Sequence, residues 1–135
     1  MENKYFTPSI GDIRIGYQCQ IKYFSDSDFE EVIIDDEWTL CVLKEYINDS
    51  CLRVPYLTQA HLEERGWVLR TEYSGKYRLM FAKDNFLLSY NPENYMLFII
   101  PLDPSKEFYE HQTRYAGTCK DPNTFDYICK LLNIE

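Results

Sequence analysis

The sequence predicts a single α+β domain in which an antiparallel or mixed sheet carries a short central helix and a C-terminal helix on one side. Several segments alternate apolar and polar side chains with a period of two, which is typical of strands with one buried face. Two segments carry the start and stop signals of helices. The strands are not separated by regularly spaced helices, so a parallel sheet is not expected, and the sheet can curl.

Chain length and cysteine usage favour one cytosolic domain over residues 1–135. The 135 residues with 45% hydrophobic content can bury a core without disulfides or metal. No signal-peptide pattern or membrane-spanning run is visible. None of the five cysteines forms a Cys-x-x-Cys pair, and Cys19, Cys41 and Cys129 lie in apolar patterns. We therefore expect these three to be buried thiols in a reducing compartment.

The first half of the chain is predicted to be mostly strand. Residues 13–24 show the clearest alternation, with the odd positions from Ile13 to Tyr23 on one face. Residues 38–47 fit both the two-residue period of a strand and the longer period of a helix. We favour a strand over 37–43 followed by a turn or short helix. Residues 52–56 are expected to be extended, because Pro55 disfavours helical backbone at the preceding residue.

A short central helix is predicted between Leu57 and Gly66. Thr58 is the expected N-cap, Leu57 and Leu62 stand at the positions of a hydrophobic staple, and Gly66 is the expected C-cap. Trp67 then follows and is expected to anchor the helix onto the sheet.

The stretch from residue 66 to residue 101 is predicted to be a β-meander. Three alternating segments are each preceded by a turn sequence, and these turns lie at 73–76, 84–85 and 91–94. The segment 96–100 is apolar on both faces, which indicates a central or doubly covered strand. A further strand is predicted over 108–120. The C-terminal helix then begins with Asp121 as N-cap and Pro122 at its first position.

An acidic segment interrupted by Phe29 is the leading candidate for a binding surface. A net charge of −8 disfavours nucleic acid and is compatible with a basic protein partner. Glu31 stands where a calcium-binding EF-hand loop needs glycine, so the segment is interpreted as a solvated loop or hairpin tip. We expect Phe29 to act as the apolar anchor of a protein-binding site whose acidic members are Asp26, Asp28, Glu30, Glu31, Asp35, Asp36 and Glu37.

Composition supports the same interpretation. The sheet can hide only some of the twelve tyrosines. They either line the edges of the core with solvated hydroxyls or form an exposed protein-binding patch beside the acidic loop, since tyrosine combines a large rigid surface with a hydroxyl. No nucleophile elbow, P-loop or dinucleotide fingerprint is present. We therefore expect a non-enzymatic interaction protein without metal or cofactor.

Two alternatives from other functional classes stay open. A small-molecule or nucleotide-binding module could stack a base on tyrosine and pair a phosphate with basic side chains. Its candidate residues are Arg70, Arg78, Arg114 and His111. The second alternative is a hydrolase, because His111-Gln112-Thr113 matches one half of the paired motif of two-histidine phosphoesterases. The other histidine, His61, lacks the following hydroxyl residue that the second half requires.

Three segments together carry a resemblance: Tyr5-Phe6-Thr7-Pro8 with Asp12 to Tyr17, then Arg53 to Thr58 through Gly66-Trp67, and the ending Leu131-Leu132-Asn133-Ile134. In this order they resemble small uncharacterised accessory proteins of phages and mobile elements of gut Bacteroides-type bacteria. The resemblance implies only a setting, namely a small phage or mobile-element accessory protein in the cytoplasm of a bacterial host cell. Together with the acidic and aromatic surface, this setting leads us to expect a host or phage protein as the partner. It implies no activity and no residue roles.

Overall fold

The computed structural model describes residues 4–24, 26–72, 74–75, 78–101 and 113–134. The chain divides into two units, Met1–Tyr56 (unit 1) and Leu57–Glu135 (unit 2), and each unit contains an antiparallel sheet with its own hydrophobic core. The predicted α+β class is confirmed. The predicted single domain stays a prediction, since it concerns whether the whole chain unfolds cooperatively.

Unit 1 is a four-stranded antiparallel sheet with one helix. Its elements are β1 (Tyr5–Phe6), a 3-10 turn (Ile10–Asp12), β2 (Gln18–Ile21), β3 (Glu30–Ile33), α1 (Leu40–Asn48) and β4 (Leu52–Pro55). The strands lie in the order β1-β4-β2-β3. The inner face of the sheet packs with Leu43 of α1, and its buried strand residues are Cys19, Ile21, Leu52 and Val54. Residues 52–55 are extended, as predicted.

The predicted strand over residues 13–24 is wrong except for its centre. Only Gln18–Ile21 forms the strand β2. Before it the chain turns, with the amide of Tyr17 bonded to the carbonyl of Arg14 at 3.0 Å, and Gly16 adopts a φ of +92°. Glycine enters this left-handed region without the Cβ clash of other residues, so a turn fits where the alternation predicted continuous strand. Ile15 is consequently 74% exposed.

The predicted strand over residues 37–43 is also wrong, because α1 begins at Leu40. Thr39 caps this helix, and its Oγ1 accepts a hydrogen bond from the amide of Val42 at 3.2 Å. The N-cap satisfies one of the backbone donors that a helix start leaves unpaired. Helical periodicity buries Leu43 and leaves Cys41 exposed, so the predicted burial of Cys41 is wrong as well.

Unit 2 is a five-stranded antiparallel sheet with two helices. Its elements are α2 (Gln59–Glu64), β5 (Val68–Leu69), β6 (Leu79–Lys83), β7 (Phe86–Asn91), β8 (Met96–Pro101), β9 (Tyr115–Thr118) and α3 (Pro122–Leu131). The strands follow chain order, which confirms the predicted meander. β8 lies between β7 and β9, as its two apolar faces predicted. Parts of the predicted turn and strands lie outside the described residues, namely residue 73, residues 76–77 and residues 108–112.

Both helices of unit 2 begin as their sequences predicted. The side chains of Thr58 and Asp121 cap α2 and α3, and Gly66 follows α2 with a φ of +88°. Trp67 is 2% exposed and meets Phe125 of α3 edge to face, with 6.2 Å between ring centroids. The longest helix among the described residues has ten residues. No helix in this part of the chain is long and apolar enough to cross a bilayer.

Candidate functional site

One face of the unit 1 sheet points away from the core and carries polar and aromatic side chains. Neighbouring residues on a strand alternate between faces, so the burial of Leu52 and Val54 directs Arg53 outward. The register pairs Gln20 with Arg53 on one side and with Glu31 on the other. These three side chains therefore form a row across β4, β2 and β3. We call this surface the outer face.

The guanidinium of Arg53 is held between two aromatic rings, an arrangement that we call the Arg53 stack. Its Cζ lies 3.8 Å from the ring centroid of Tyr5 and 3.8 Å from that of Phe29. Both distances fall well inside the roughly 6 Å range of cation–π attraction. Tyr5 comes from β1, whereas Phe29 comes from the loop before β3. The stack thus joins three segments that are distant in sequence.

Hydrogen bonds set the orientation of the stacked guanidinium. The Nε of Arg53 donates to Oε1 of Gln20 at 2.7 Å, and Nε2 of Gln20 donates to Oε1 of Glu31 at 2.6 Å. Within the described part of the chain, the side chain of Arg53 forms one hydrogen bond, the one donated by Nε. An arginine carries four further N–H donors on its two terminal nitrogens. The outer face therefore presents an oriented, partly desolvated cation whose terminal donors can serve a partner.

The predicted acidic site is split by β3 into two groups. Asp26 and Asp28 lie in the hairpin loop beside Phe29, and Glu30 and Glu31 begin the strand. The second group, Asp35, Asp36 and Glu37, follows the strand end. Four strand residues span roughly 13 Å, at about 3.3 Å per residue. All seven carboxylates are exposed, but only the first group flanks Phe29 in the chain.

The second acidic group has a local structural role. Oδ1 of Asp35 accepts a hydrogen bond from the amide of Glu37 at 3.0 Å, closing a tight turn just before the Thr39 cap. Negative charge near the start of α1 also complements the positive end of its dipole. The structure therefore gives Asp35 a local role, and the binding role predicted for Asp35, Asp36 and Glu37 stays a prediction.

Unit 1 carries most of the net negative charge of the protein, and its β2–β3 hairpin exposes large apolar side chains. Its 56 residues contain eleven acidic and five basic side chains, a net charge of −6, whereas unit 2 has eleven and nine, a net charge of −2. In and around the β2–β3 hairpin, Phe24 is 71% exposed and Ile33 is 61% exposed. Large apolar side chains held in water next to charged ones are typical of protein-binding surfaces.

Two ionisable side chains near this face, Cys19 and Tyr23, have raised pKa values. Burial, followed by the nearby charge of Glu31, raises the pKa of the Cys19 thiol to about 11. Burial, followed by the charge of Glu30, also raises the pKa of Tyr23. Both groups stay protonated and neutral near pH 7, where a thiol nucleophile would have to ionise.

Of the alternative ligand-binding residues, the structure describes the three arginines, and it places Arg114 apart from the other two. Arg70 bonds through its amide to the carbonyl of Met80 and forms an ion pair with Glu72, so it lies with Arg78 where β5 and β6 meet. Arg114 precedes β9, at the opposite edge of the sheet. Three strand spacings separate β6 from β9, or about 14 Å at roughly 4.8 Å each. His111 lies outside the described residues.

Sequence reasoning found Phe29 and Glu31 but missed Tyr5, Gln20 and Arg53. The alternation of residues 52–55 already contained the signal that Arg53 points outward. Nothing local indicated its ring partners, which depend on the strand order β1-β4-β2-β3.

Among the described residues, no group of three or more histidine, cysteine or acidic side chains could hold a metal ion. Comparison with protein-family models, with curated proteins and with solved structures finds no match. Function is therefore inferred from the arrangement of the side chains.

Proposed function

We propose that unit 1 binds a basic segment of another protein through its outer face, without catalysis. The Arg53 stack is the centre of this contact, and Asp26, Asp28 and Glu31 form its acidic rim. Glu30 pairs with the buried Ile21 and therefore lies on the other face of the sheet. The single observation that carries the proposal is the guanidinium of Arg53, held 3.8 Å from two rings on a solvent-facing sheet surface.

Pre-organisation makes this stack suited to binding. Immobilising a flexible side chain at an interface costs about 0.5–1.5 kcal/mol, and the two rings and Gln20 already immobilise Arg53 before a partner arrives. Arginine and tyrosine are also among the residues that contribute most to interface energy. The terminal nitrogens of Arg53 can then donate to backbone carbonyls of the partner.

Charge defines the partner class. A net charge of −6 on unit 1 attracts basic protein segments and raises their association rate, whereas it repels nucleic-acid phosphates. In this proposal, lysine or arginine side chains of the partner lie against the acidic rim. Following the sequence resemblance, the partner is a protein of the bacterial host or of a phage, met in the cytoplasm.

The first test examines the stack by itself. A partner captured from bacterial lysate with the tagged protein is purified, and its affinity is measured for the unmodified protein and for Arg53→Lys. Lysine keeps the positive charge but loses the planar group that fits between the rings. We expect the affinity to fall about 10-fold or more, because at least one hot-spot contact of the interface is lost. Unchanged affinity would show that the stack is not the contact centre.

The second test examines the acidic rim with a matched control. Asp26→Asn/Asp28→Asn removes two charges beside Phe29, and Asp84→Asn/Glu93→Gln removes two exposed charges from turns of unit 2. We expect the first pair to slow association and to reduce its salt dependence, and the second pair to leave both nearly unchanged. Equal effects of the two pairs would indicate attraction by overall charge, and the rim assignment would be wrong.

A further inference from the structure

The strand β3 lies at one edge of the unit 1 sheet, beside the outer face. In the described part of the chain the strand order is β1-β4-β2-β3, so β3 pairs with β2 on one side only. We propose that this edge receives an extended segment of the partner, which adds to the sheet as a further strand and carries a basic side chain on the outer face. This inference rests on the proposed function and specifies the conformation and side-chain pattern of the partner.

The backbone groups that point away from β2 belong to Glu31 and Ile33. Ile34, next in the chain, directs both of its groups to the β2 side: its amide bonds the carbonyl of Tyr17 at 2.9 Å, and its carbonyl accepts from the amide of Gly16 at 2.7 Å. In an antiparallel pair the two groups of one residue point to the same side, and successive residues alternate. The amides and carbonyls of Glu31 and Ile33 therefore face outward, where they form a template for another strand.

The side chains beside this edge define the pattern of the partner. Glu31 lies opposite Gln20 on the outer face, and alternation places Ile33 on the same face. Gln20 occupies Oε1 of Glu31 at 2.6 Å, and a carboxylate accepts further hydrogen bonds at its second oxygen. Ile33 is 61% exposed. An added strand thus meets an acidic and an apolar side chain two positions apart, which fits alternate basic and apolar residues.

Charge favours a basic strand over a second copy of this chain. Pairing of two β3 edges would bring Glu30 and Glu31 of both copies together, and like charges across a strand pair are destabilising. Each copy of unit 1 also carries a net charge of −6. A basic segment turns both repulsions into attractions. Because Glu30 and Glu31 lie on opposite faces, carboxylates flank the added strand on both sides.

Protection of the edge explains the two glutamates but not Ile33. Charged side chains on edge strands commonly prevent unwanted pairing. Ile33 is nevertheless exposed at the same edge, where a large apolar side chain favours contact with another strand. An edge that repels copies of itself and still presents an apolar contact is suited to a strand of opposite charge.

Synthetic peptides test the strand addition directly. The probe is a capped seven-residue peptide with lysine at the centre, isoleucine two positions to either side and threonine elsewhere. One version is N-methylated on the amides of lysine and isoleucine, and a second version on the amides of threonine. The two versions have the same charge and side chains, so they differ in which edge of the peptide can pair.

Binding is followed by the amide chemical shifts of isotope-labelled protein. We expect the unmodified peptide to shift the amides of Glu31 and Ile33 saturably and to slow their hydrogen exchange. A strand pairs through the amides of alternate residues, so one methylated version should bind about 10-fold more weakly or worse while the other keeps its affinity. Loss with methylated lysine and isoleucine indicates an antiparallel addition, and loss with methylated threonine a parallel one.

Two variants of Ile33 test the protein side of the contact. Ile33→Pro removes the outward amide, and proline is tolerated on an edge strand where that amide faces solvent. Ile33→Thr is the matched control, because it removes apolar surface and keeps the amide. We expect about 10-fold weaker binding or worse for the first variant and a smaller loss for the second. Native circular dichroism is checked for both.

The proposal is overturned if the unmodified peptide leaves these amides unshifted, if both methylated versions bind equally, or if a peptide with central glutamate binds as tightly as the lysine peptide. Sedimentation that shows a dimer abolished by Ile33→Pro would also overturn it, since a second copy would then occupy the edge. Each of these outcomes leaves the proposed function to its own test, the affinity of the purified partner for Arg53→Lys.

Discussion

At the scale of single residues, the caps show how one side chain stabilises a whole segment. Asp121 is 4% exposed; its Oδ2 accepts a hydrogen bond from the amide of Thr124 at 3.3 Å and its Oδ1 one from Oγ1 of Thr124 at 2.6 Å. Asp121→Ala removes both acceptors and is expected to lower the free energy of unfolding by about 1–2 kcal/mol. Urea denaturation measures this change.

Asp121→Asn is the matched control for the cap. Asparagine keeps one carbonyl oxygen for the amide of Thr124, so we expect it to cost less than half of what alanine costs. Equal losses for the two variants would mean that the charge of Asp121, and not its cap geometry, supplies the stabilisation.

At the scale of elements, α1 decides whether the thiol of Cys41 meets solvent. A strand over residues 37–43 was predicted together with a buried Cys41, whereas in the helix this thiol is exposed. The pKa of Cys19 is raised to about 11 by burial and then by Glu31, and burial also raises the pKa of Cys119 well above its usual range. At pH 8 we expect Ellman's reagent to modify Cys41 rapidly, and Cys19 and Cys119 only after unfolding.

The control for this reaction is Cys41→Ser, which should abolish the fast phase. A fast phase that persists in this variant would place another thiol at the surface. Cys19 is 1% exposed and its pKa is raised by burial, so we expect its labelling to stay slow for as long as the protein is folded.

At the scale of the whole molecule, the open question is whether the two units unfold together. The single-domain prediction requires one cooperative transition, and hydrogen exchange measures it directly. Leu43 is 4% exposed in the core of unit 1, and truncating a buried leucine costs about 2–5 kcal/mol. Under a single domain, Leu43→Ala accelerates the slowest exchanging amides of both units equally.

Leu88→Ala, in the core of unit 2, is the reciprocal experiment. If each variant accelerates exchange in its own unit alone, the units are separate cooperative domains and the single-domain prediction is wrong. The two truncations remove the same side chain, so a difference between them reflects the units and not the chemistry of the substitution.

Elements of the fold were predictable from the sequence where the residues that delimit them are close to them in the chain. The meander, α2 and α3 were found because their turn residues and caps lie within a few positions of the elements that they delimit. The strand predictions over 13–24 and 37–43 were wrong because the alternation of apolar and polar residues continues through Gly16 and Thr39, where the backbone is not that of a strand. These two residues carry a left-handed turn and a helix cap, and such local interactions outweigh a pattern that both structures can display.

By itself, the sequence determined the α+β class, the capped helices α2 and α3, the meander and the acidic character around Phe29. Only the tertiary structure decided which side chains meet. Strand order places Tyr5 and Phe29 on either side of Arg53, and it leaves β3 at the edge of its sheet. Local patterns specify the face on which a residue lies, because that depends on backbone geometry. Its partners across a sheet depend on the folding of distant segments, which no local pattern records.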